Sequence, residues 1–112
     1  MNDRDFAVID AALEPGEHLT SAAGVIVNGR GRRHGDLPAR GFVLAVTDRR
    51  LIALRATTWL ARPTGEVLAE WSFDDGVTLA RAPFGRVRLV LPDRSVATLA
   101  PYGGWSLRHL VT

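Results

Sequence analysis

Arginine is the residue type best placed to do chemistry in this chain, because several arginines fall close together in a glycine-rich stretch. Residues 28–41 hold four arginines against one aspartate, a balance of +3; the four are Arg30, Arg32, Arg33 and Arg40. The whole chain has 14 arginines, no lysine and 12 acidic residues, so the rest balances at 10 against 11. A guanidinium group can donate two parallel hydrogen bonds to a phosphate, and nearby glycines allow a close approach to the backbone. The stretch 29–40 is therefore a candidate anion-binding loop, and the alternative is a solvated loop without a ligand.

Trp59 and Leu60 form a second candidate site, this one for contact with another protein. They lie in a predicted connection between strands that also contains Pro63 and Gly65. An exposed aromatic ring beside a leucine is typical of protein interfaces. The alternative is that the ring of Trp59 folds over the edge of a sheet.

The histidines do not predict a catalytic or metal site. His18, His34 and His109 fall in a predicted strand, loop and terminal helix, without the short spacings of a metal site or a base–nucleophile pair. The absence of cysteine removes disulfides, thiolate ligands and a thiol nucleophile, and no phosphate-binding or dinucleotide-binding motif occurs. We therefore predict a non-enzymatic protein without a cofactor. A hydrolase that uses His34 and Asp36 would require both side chains in one ordered pocket.

A hairpin over 41–57 organises the elements that must position these residues. Two runs rich in valine, leucine and isoleucine flank the polar connection Thr47-Asp48-Arg49-Arg50, which is too short for anything but a reversal between antiparallel strands. The side-chain oxygens of Thr47 and Asp48 can accept bonds from nearby backbone N–H groups, which suits the start of a turn. We expect Arg49 and Arg50 to be solvated at the tip, where an ion pair between Arg50 and Asp48 or a neighbouring acid would contribute little.

Helices are predicted at the two ends of what we expect to be a single domain, residues 1–112. An apolar stripe predicts a short N-terminal helix over 3–14. Apolar residues over 103–111 predict a C-terminal helix that docks on the strands. Trp71 and Trp105 lie on periodic apolar faces and are expected in the core.

Strands account for the rest of the pattern. A first strand is predicted over 17–27, ahead of the hairpin. Alternating apolar residues between turn signals predict four more strands, over 66–73, 77–82, 86–91 and 95–100. Seven short antiparallel strands over 17–100, without alternating helices, imply a mainly β sandwich or small barrel.

These features together resemble the bacterial pleckstrin-homology-like (PH-like) domains, which are similar to the GRAM and PH superfold. The likeness covers residues 13–110 and rests on Leu-Glu-Pro-Gly-Glu at 13–17, on Val-Thr-Asp-Arg-Arg-Leu at 46–51, and on a terminal helix that bears Trp105. The resemblance implies a seven-stranded antiparallel barrel of two roughly orthogonal sheets, four strands and then three. It also implies that a short C-terminal helix caps one end of the barrel.

The resemblance implies a place for a ligand as well. In PH domains the connection between the first two strands lines the open mouth of the barrel, and lipid-binding members use basic residues there for phosphorylated head groups. This chain departs from that pattern, because its first strand offers no basic residue except His18 and its second begins with Gly41 and Phe42.

We predict from these features a PH-like interaction module that acts through protein contacts or self-association, with an unknown protein or a second copy as partner. The alternative is peripheral binding to an anionic membrane through the arginines of the stretch 29–40. Nucleic acid is a poor fit, because that stretch lacks aromatic residues that could stack on bases. The charged start of the chain, with no long apolar run after it, predicts a cytoplasmic protein, located at the inner face of the membrane if the alternative holds.

Overall fold

The computed structural model describes residues 2–28, 37–38, 40–57 and 60–111 of the chain. Within these residues the elements, in chain order, are α1 (Asp3–Asp10), β1 (Leu19–Val27), β2 (Phe42–Thr47), β3 (Arg50–Ala56), β4 (Pro63–Ser72), a 3-10 turn (Phe73–Asp75), β5 (Thr78–Ala82), β6 (Arg86–Val90) and β7 (Val96–Pro101). The prediction of a mainly β protein with seven antiparallel strands and a short N-terminal helix is confirmed.

The strands form a single antiparallel sheet in the order β4-β3-β2-β1-β7-β6-β5. β1 lies at its centre, pairing with β2 along most of its length and with β7 from Val25 to Val27. β4 and β5 are the two edges, and in the described part of the chain they do not pair with each other. The sheet is therefore not closed as a barrel, which corrects the prediction of a seven-stranded barrel.

The link between β4 and β5 explains why the two edges stay apart. The Asp-Asp-Gly of residues 74–76 predicts a tight reversal, but the chain forms the 3-10 turn Phe73–Asp75 there. The Ser72 hydroxyl accepts a hydrogen bond from the Asp74 N–H at 3.2 Å, and Gly76 ends the turn at φ +94°, a conformation that glycine adopts without strain. β5 therefore does not fold back along β4.

The sheet buries apolar residues on both of its faces. The larger cluster takes residues from β1, β2, β3, β4, β6 and β7, so the two halves of the sheet share one core. The smaller cluster lies under α1, where Ile9 packs with alternate residues of two strands: Val43, Ala45, Ile52 and Leu54. Both faces of β2 and β3 are thus buried, which explains why these strands are apolar throughout. Complete burial of a side chain such as Ile9 contributes roughly 1.5–3 kcal/mol.

α1 is shorter than the predicted helix over 3–14. At its start, Asn2 Oδ1 accepts a hydrogen bond from the Asp5 N–H at 2.8 Å. The helix ends at Asp10, and the chain continues in tighter turns, with the Leu13 N–H donating to the Asp10 carbonyl at 3.1 Å. A proline and then Gly16, at φ +80°, follow these turns, so the helical backbone cannot continue through them.

The C-terminal helix predicted over 103–111 is not formed, and this segment consists of turns. Gly103 and Gly104 have φ values of +68° and +80°, so the backbone leaves the helical region where the helix would begin. The segment nevertheless docks on the sheet, because Leu107 and Leu110 are buried in the larger cluster.

A buried carboxylate ties the segment after α1 to the hairpin of β2 and β3. The Glu17 side chain is 0% exposed. It accepts hydrogen bonds from the Thr47 hydroxyl at 2.7 Å and from Arg50 Nε and Nη2 at 2.9 Å each. The Glu14 N–H donates a further bond at 3.0 Å. Arg50 also donates to Glu70 on β4, so the network reaches a third part of the chain.

The hairpin tip has the predicted turn chemistry but not the predicted arginine exposure. Thr47 Oγ1 accepts hydrogen bonds from the backbone N–H groups of Arg49 and Arg50, at 3.1 and 3.0 Å. The Arg49 side chain is half exposed, whereas that of Arg50 is 13% exposed. Arg50 is therefore not the solvated turn residue that was predicted. Asp48 is not its partner either, because Asp48 accepts from the His18 N–H at 2.9 Å.

Hydrogen bonds from Arg50 are the main reason that the pKa of Glu17 lies at about 2, against an ordinary value of 4.5. Burial acts in the opposite direction, because it penalises the charged form, but the bonds from Arg50, Glu14 and Thr47 outweigh it. A lowered pKa means that folding favours the charged carboxylate. Its stabilisation is therefore complete above the unfolded-state pKa and is lost as the pH falls through the folded-state pKa.

We predict that the free energy of unfolding decreases as the pH is lowered from about 4.5 to about 2, because the Glu17 carboxylate then takes up a proton. The pKa shift corresponds to a stabilisation on the order of 3 kcal/mol at neutral pH. Glu17→Gln should remove most of it, since it leaves Arg50 without its buried partner, and should flatten the pH dependence. Urea denaturation over a pH series measures both effects.

Glu66→Gln is the matched control for this variant. Glu66 pairs with Arg55 at 2.5 Å, but the two side chains are 55% and 60% exposed. An exposed pair contributes little to stability, so the control should unfold like the wild type. Equal losses of stability in Glu17→Gln and Glu66→Gln would contradict the role given to the buried carboxylate.

Candidate functional site

The residues predicted to bind anions or proteins are only partly described by the structure. Four of them lie outside the described residues: Arg30, Arg32, Arg33 and Trp59. Arg40 is exposed, and Leu60 is 57% exposed. Arg40 and Leu60 border different clefts, so the structure does not bring the two predicted sites together.

Arg40 lies in a cleft of about 430 Å³ next to the start of β2. Its other walls include Gly41, Arg55, Leu68 and Tyr102. Arg55 donates to a carboxylate on β4 at 2.5 Å, whereas Arg40 forms no salt bridge with any described residue. The cleft thus presents, as far as the described residues go, one guanidinium without an acidic partner beside apolar walls, which can attract an anion but does not enclose one.

Two glycines shape the clefts by letting aromatic residues lie directly on the sheet. A Cβ on Gly41 would come within 2.4 Å of the Tyr102 ring, and a Cβ on Gly24 within 2.5 Å of Trp105 Cδ1. The Tyr102 N–H donates to the Gly24 carbonyl at 3.0 Å, and Trp105 Nε1 donates to the Ala61 carbonyl at 3.0 Å. These contacts hold the C-terminal segment on the sheet in the absence of a helix, and they place Trp105 against the core as predicted.

Leu60 borders a second cleft, of about 450 Å³. This cleft is lined by residues of α1, of the segment before β4 and of the C-terminal turns. Inside it the Asp5 carboxylate, 5% exposed, accepts a hydrogen bond from Arg62 Nη1 at 2.8 Å. Ser106 and His109 also line this cleft. No hydrogen bond joins either of them to Asp5 in the part of the chain that the structure describes, and the Ser106 hydroxyl accepts from a neighbouring backbone N–H at 3.3 Å. The pair of Asp5 and Arg62 joins α1 to the segment that leads into β4.

A third cleft, of about 470 Å³, lies beside the hairpin tip and is rich in acidic side chains. Its acidic residues are Glu14, Asp48, Glu70, Asp74 and Asp75. Among the described residues, however, no group of three carboxylate or histidine side chains is placed to hold a metal ion. Within the same described residues, no helix has the length and apolar character needed to cross a membrane.

β4 is a long edge strand with apolar side chains in solvent. Its 10 residues pair with β3 on one side only. In the middle of the strand Val67 is 42% and Leu68 is 38% exposed, whereas Trp71 near the end is buried as predicted. Strict alternation predicts that Val67 and Trp71 share one buried face. Two register shifts against β3 break the alternation, because each shift adds residues to β4 that have no partner.

Comparisons of this chain with protein families, with curated proteins and with solved structures found no match. The resemblance to PH-like domains therefore stays a prediction. Among the described residues, the edge of β4 exposes two apolar side chains that are adjacent in sequence, Val67 and Leu68.

We predict that Gly24→Ala and Gly41→Ala each lower the free energy of unfolding by roughly 1–3 kcal/mol, because the added methyl group would overlap an aromatic ring. Gly65→Ala is the matched control, since a Cβ on Gly65 would meet nothing within 4 Å. Denaturant unfolding of the three variants measures the difference. A loss in Gly65→Ala as large as in the other two would show that the aromatic contacts do not cause the effect.

Proposed function

We propose that this chain is a non-enzymatic interaction module that binds another polypeptide, a partner protein or a second copy, along the open edge of β4. The observation that carries the proposal is an edge strand of 10 residues whose Val67 and Leu68 are 42% and 38% exposed. The outward N–H and C=O groups of an edge strand can form hydrogen bonds with a further strand. A partner strand would also cover the two apolar side chains, which favours association by roughly 25 cal/mol per Å² of apolar surface buried.

The two edges of the sheet differ in their suitability for strand pairing. β5 has five residues and carries the exposed Arg81, and short, charged edge strands resist pairing with other chains. β4 is twice as long, its exposed Glu66 and Glu70 are paired with arginines of β3, and it offers Val67 and Leu68. Its register shifts bend the strand, which opposes the repeated stacking of flat edges.

Leu60 is a further exposed apolar side chain, and it precedes β4 in sequence. It is 57% exposed. Trp59, its neighbour in sequence, is included in the proposed contact, because a large aromatic side chain next to an exposed leucine is typical of the centre of an interface.

The PH-like assignment is part of this proposal. It is supported by the strand order, in which the first four strands occupy one half of the sheet and the last three the other, and by the Thr47 turn between β2 and β3. The open sheet and the C-terminal turns in place of a helix depart from it.

Static light scattering at micromolar concentration tests association between copies. The 12.2 kDa chain is expected to scatter as a dimer. Val67→Lys combined with Leu68→Lys should restore a monomer, because charged side chains on an edge strand repel a second copy and must lose water on pairing. Both side chains are already exposed, so the substitutions should leave the stability of the fold unchanged.

Val96→Lys is the matched control for the charged edge. Val96 is 47% exposed, but it lies on β7, between β1 and β6. Val96→Lys should therefore leave the dimer intact. A wild-type chain that stays monomeric, or a doubly substituted chain that still dimerises, would refute pairing of two copies at β4.

A further inference from the structure

The positive charge of this chain is not confined to the stretch 28–41. Residues 76–112 hold five arginines against one aspartate, a balance of +4. Residues 1–27 and 42–75 together hold five arginines against 10 acidic residues, a balance of −5. The near-neutral balance outside the arginine-rich stretch is therefore the sum of a negative region and a positive region, and the positive region comprises β5, β6, the connection between β6 and β7, and the C-terminal turns.

The arginines of these two regions also differ in their partners. In the acidic region four arginines form salt bridges: Arg49, Arg50, Arg55 and Arg62. The arginines after residue 76 are Arg81, Arg86, Arg88, Arg94 and Arg108. None of them forms a salt bridge with a described residue. An arginine without an acidic neighbour leaves its charge available to a ligand from outside.

Phe84 stands at the end of this basic region. Of the large apolar residues that the structure describes it is the most exposed, at 92%. It lies at the tip of the β5–β6 hairpin, between Pro83 and Gly85, and its φ is +64°. This left-handed conformation is unfavourable for phenylalanine and is adopted more readily by glycine or asparagine. The ring stabilises neither the turn nor a core, so the fold alone does not explain a phenylalanine here.

A cleft of about 300 Å³ lies directly behind this tip and has no acidic residue in its walls. Arg81, Arg86 and Arg108 line it, together with Leu107 and other uncharged residues. Arg81 Nε and Nη2 both donate to the Val111 carbonyl, at 3.4 and 3.3 Å, which fixes this guanidinium beside the C-terminal turns. Three guanidinium groups around one cleft suit a phosphate: Arg86 and Arg108 can offer paired N–H groups to its oxygens, and Arg81 adds its positive charge and its remaining N–H groups.

We propose that this end of the molecule is a docking site for an anionic membrane, in which Phe84 enters the head-group region and Arg81, Arg86 and Arg108 bind lipid phosphates. The order of the groups matches that of a bilayer surface. The aromatic ring leads and the charged groups lie behind it, as is found for aromatic and basic residues at the interface of membrane-associated proteins. The site is separate from the edge of β4 and does not rest on the function proposed for that edge.

The site is also separate from the end of β1, where the arginine-rich stretch follows in sequence. Val27, the last residue of β1, is opposite Leu99, and the antiparallel β1 continues toward the start of β7. Val87, near the start of β6, is opposite Leu99 as well. The tip of the β5–β6 hairpin precedes Val87 and lies in the other direction along β7, toward Pro101. The two strands thus leave β7 at opposite ends.

A membrane accounts for these features better than a nucleic acid does. Binding of single strands uses several aromatic rings along a basic groove, so that successive bases can stack. Here one ring stands alone in front of a compact cluster of three arginines. This arrangement suits insertion at a single point of a charged surface.

Co-sedimentation of the full chain with vesicles tests the proposal, using phosphatidylcholine alone and phosphatidylcholine mixed with phosphatidylglycerol. The wild type should bind the anionic vesicles and not the neutral ones, and the binding should weaken as salt is added. Replacing Arg81, Arg86 and Arg108 with Gln should weaken binding on the order of a hundredfold, which corresponds to about 1 kcal/mol for each arginine.

Phe84→Asn provides a test that does not depend on the arginine variant folding. It should weaken vesicle binding several-fold, while its melting temperature equals or exceeds that of the wild type, because asparagine tolerates the left-handed φ. Replacing the four arginines of the stretch 29–40 with Gln is the matched control for charge and should keep most of the binding.

Three results would overturn the assignment: equal binding to neutral and anionic vesicles, loss of binding only in the variant of the stretch 29–40, or binding of an oligonucleotide in place of vesicles. The charged edge variant, Val67→Lys with Leu68→Lys, should bind anionic vesicles at least as well as the wild type does. Failure of the dimer and failure of the membrane contact can therefore be told apart.

Discussion

The buried carboxylate of Glu17 is the group on which the arrangement of the N-terminal half depends. Its hydrogen bonds to Thr47 and Arg50, and the bond from Arg50 to Glu70, join the segment after α1, the β2–β3 hairpin and β4. A charge is tolerated in the interior only where protein groups replace the water around it. A hairpin shifted by one residue would turn Thr47 to the other face of the sheet, so the carboxylate also selects the register.

Elements that depend on residues close together in sequence could be predicted. The hairpin over 41–57 is an example, because its apolar runs and its threonine turn lie next to each other and specify the same reversal. The C-terminal turns could not be predicted. Their backbone depends on contacts with β1, on the contact with Ala61, which lies 44 positions away in the sequence, and on two left-handed glycines. The prediction of a barrel was also wrong, because pairing between β4 and β5 would join residues across the whole sheet, and the connection between these strands forms a 3-10 turn instead of the expected reversal.

The candidate sites show the same limit more strongly. Sequence spacing identified clustered arginines, but it could not show that Arg50 would be buried, because its partner Glu17 lies 33 residues away. Nor could alternation show that Val67 would be exposed, since the register shifts of β4 arise from its pairing with β3. A turn at Phe84 could be predicted from the sequence. The exposure of its ring could not, because it depends on which residues the fold of the whole chain brings close to it.

The separation of the acidic and basic regions makes this molecule an electrical dipole. Its extents are 33 × 32 × 24 Å, whereas salt at physiological ionic strength screens the electric field of its charges within about 8 Å. An approaching surface would therefore sense the nearest end of the molecule and not its net charge of +2. The electric field between such a molecule and a charged surface turns the molecule before the two make contact, so its orientation at first contact is already selected.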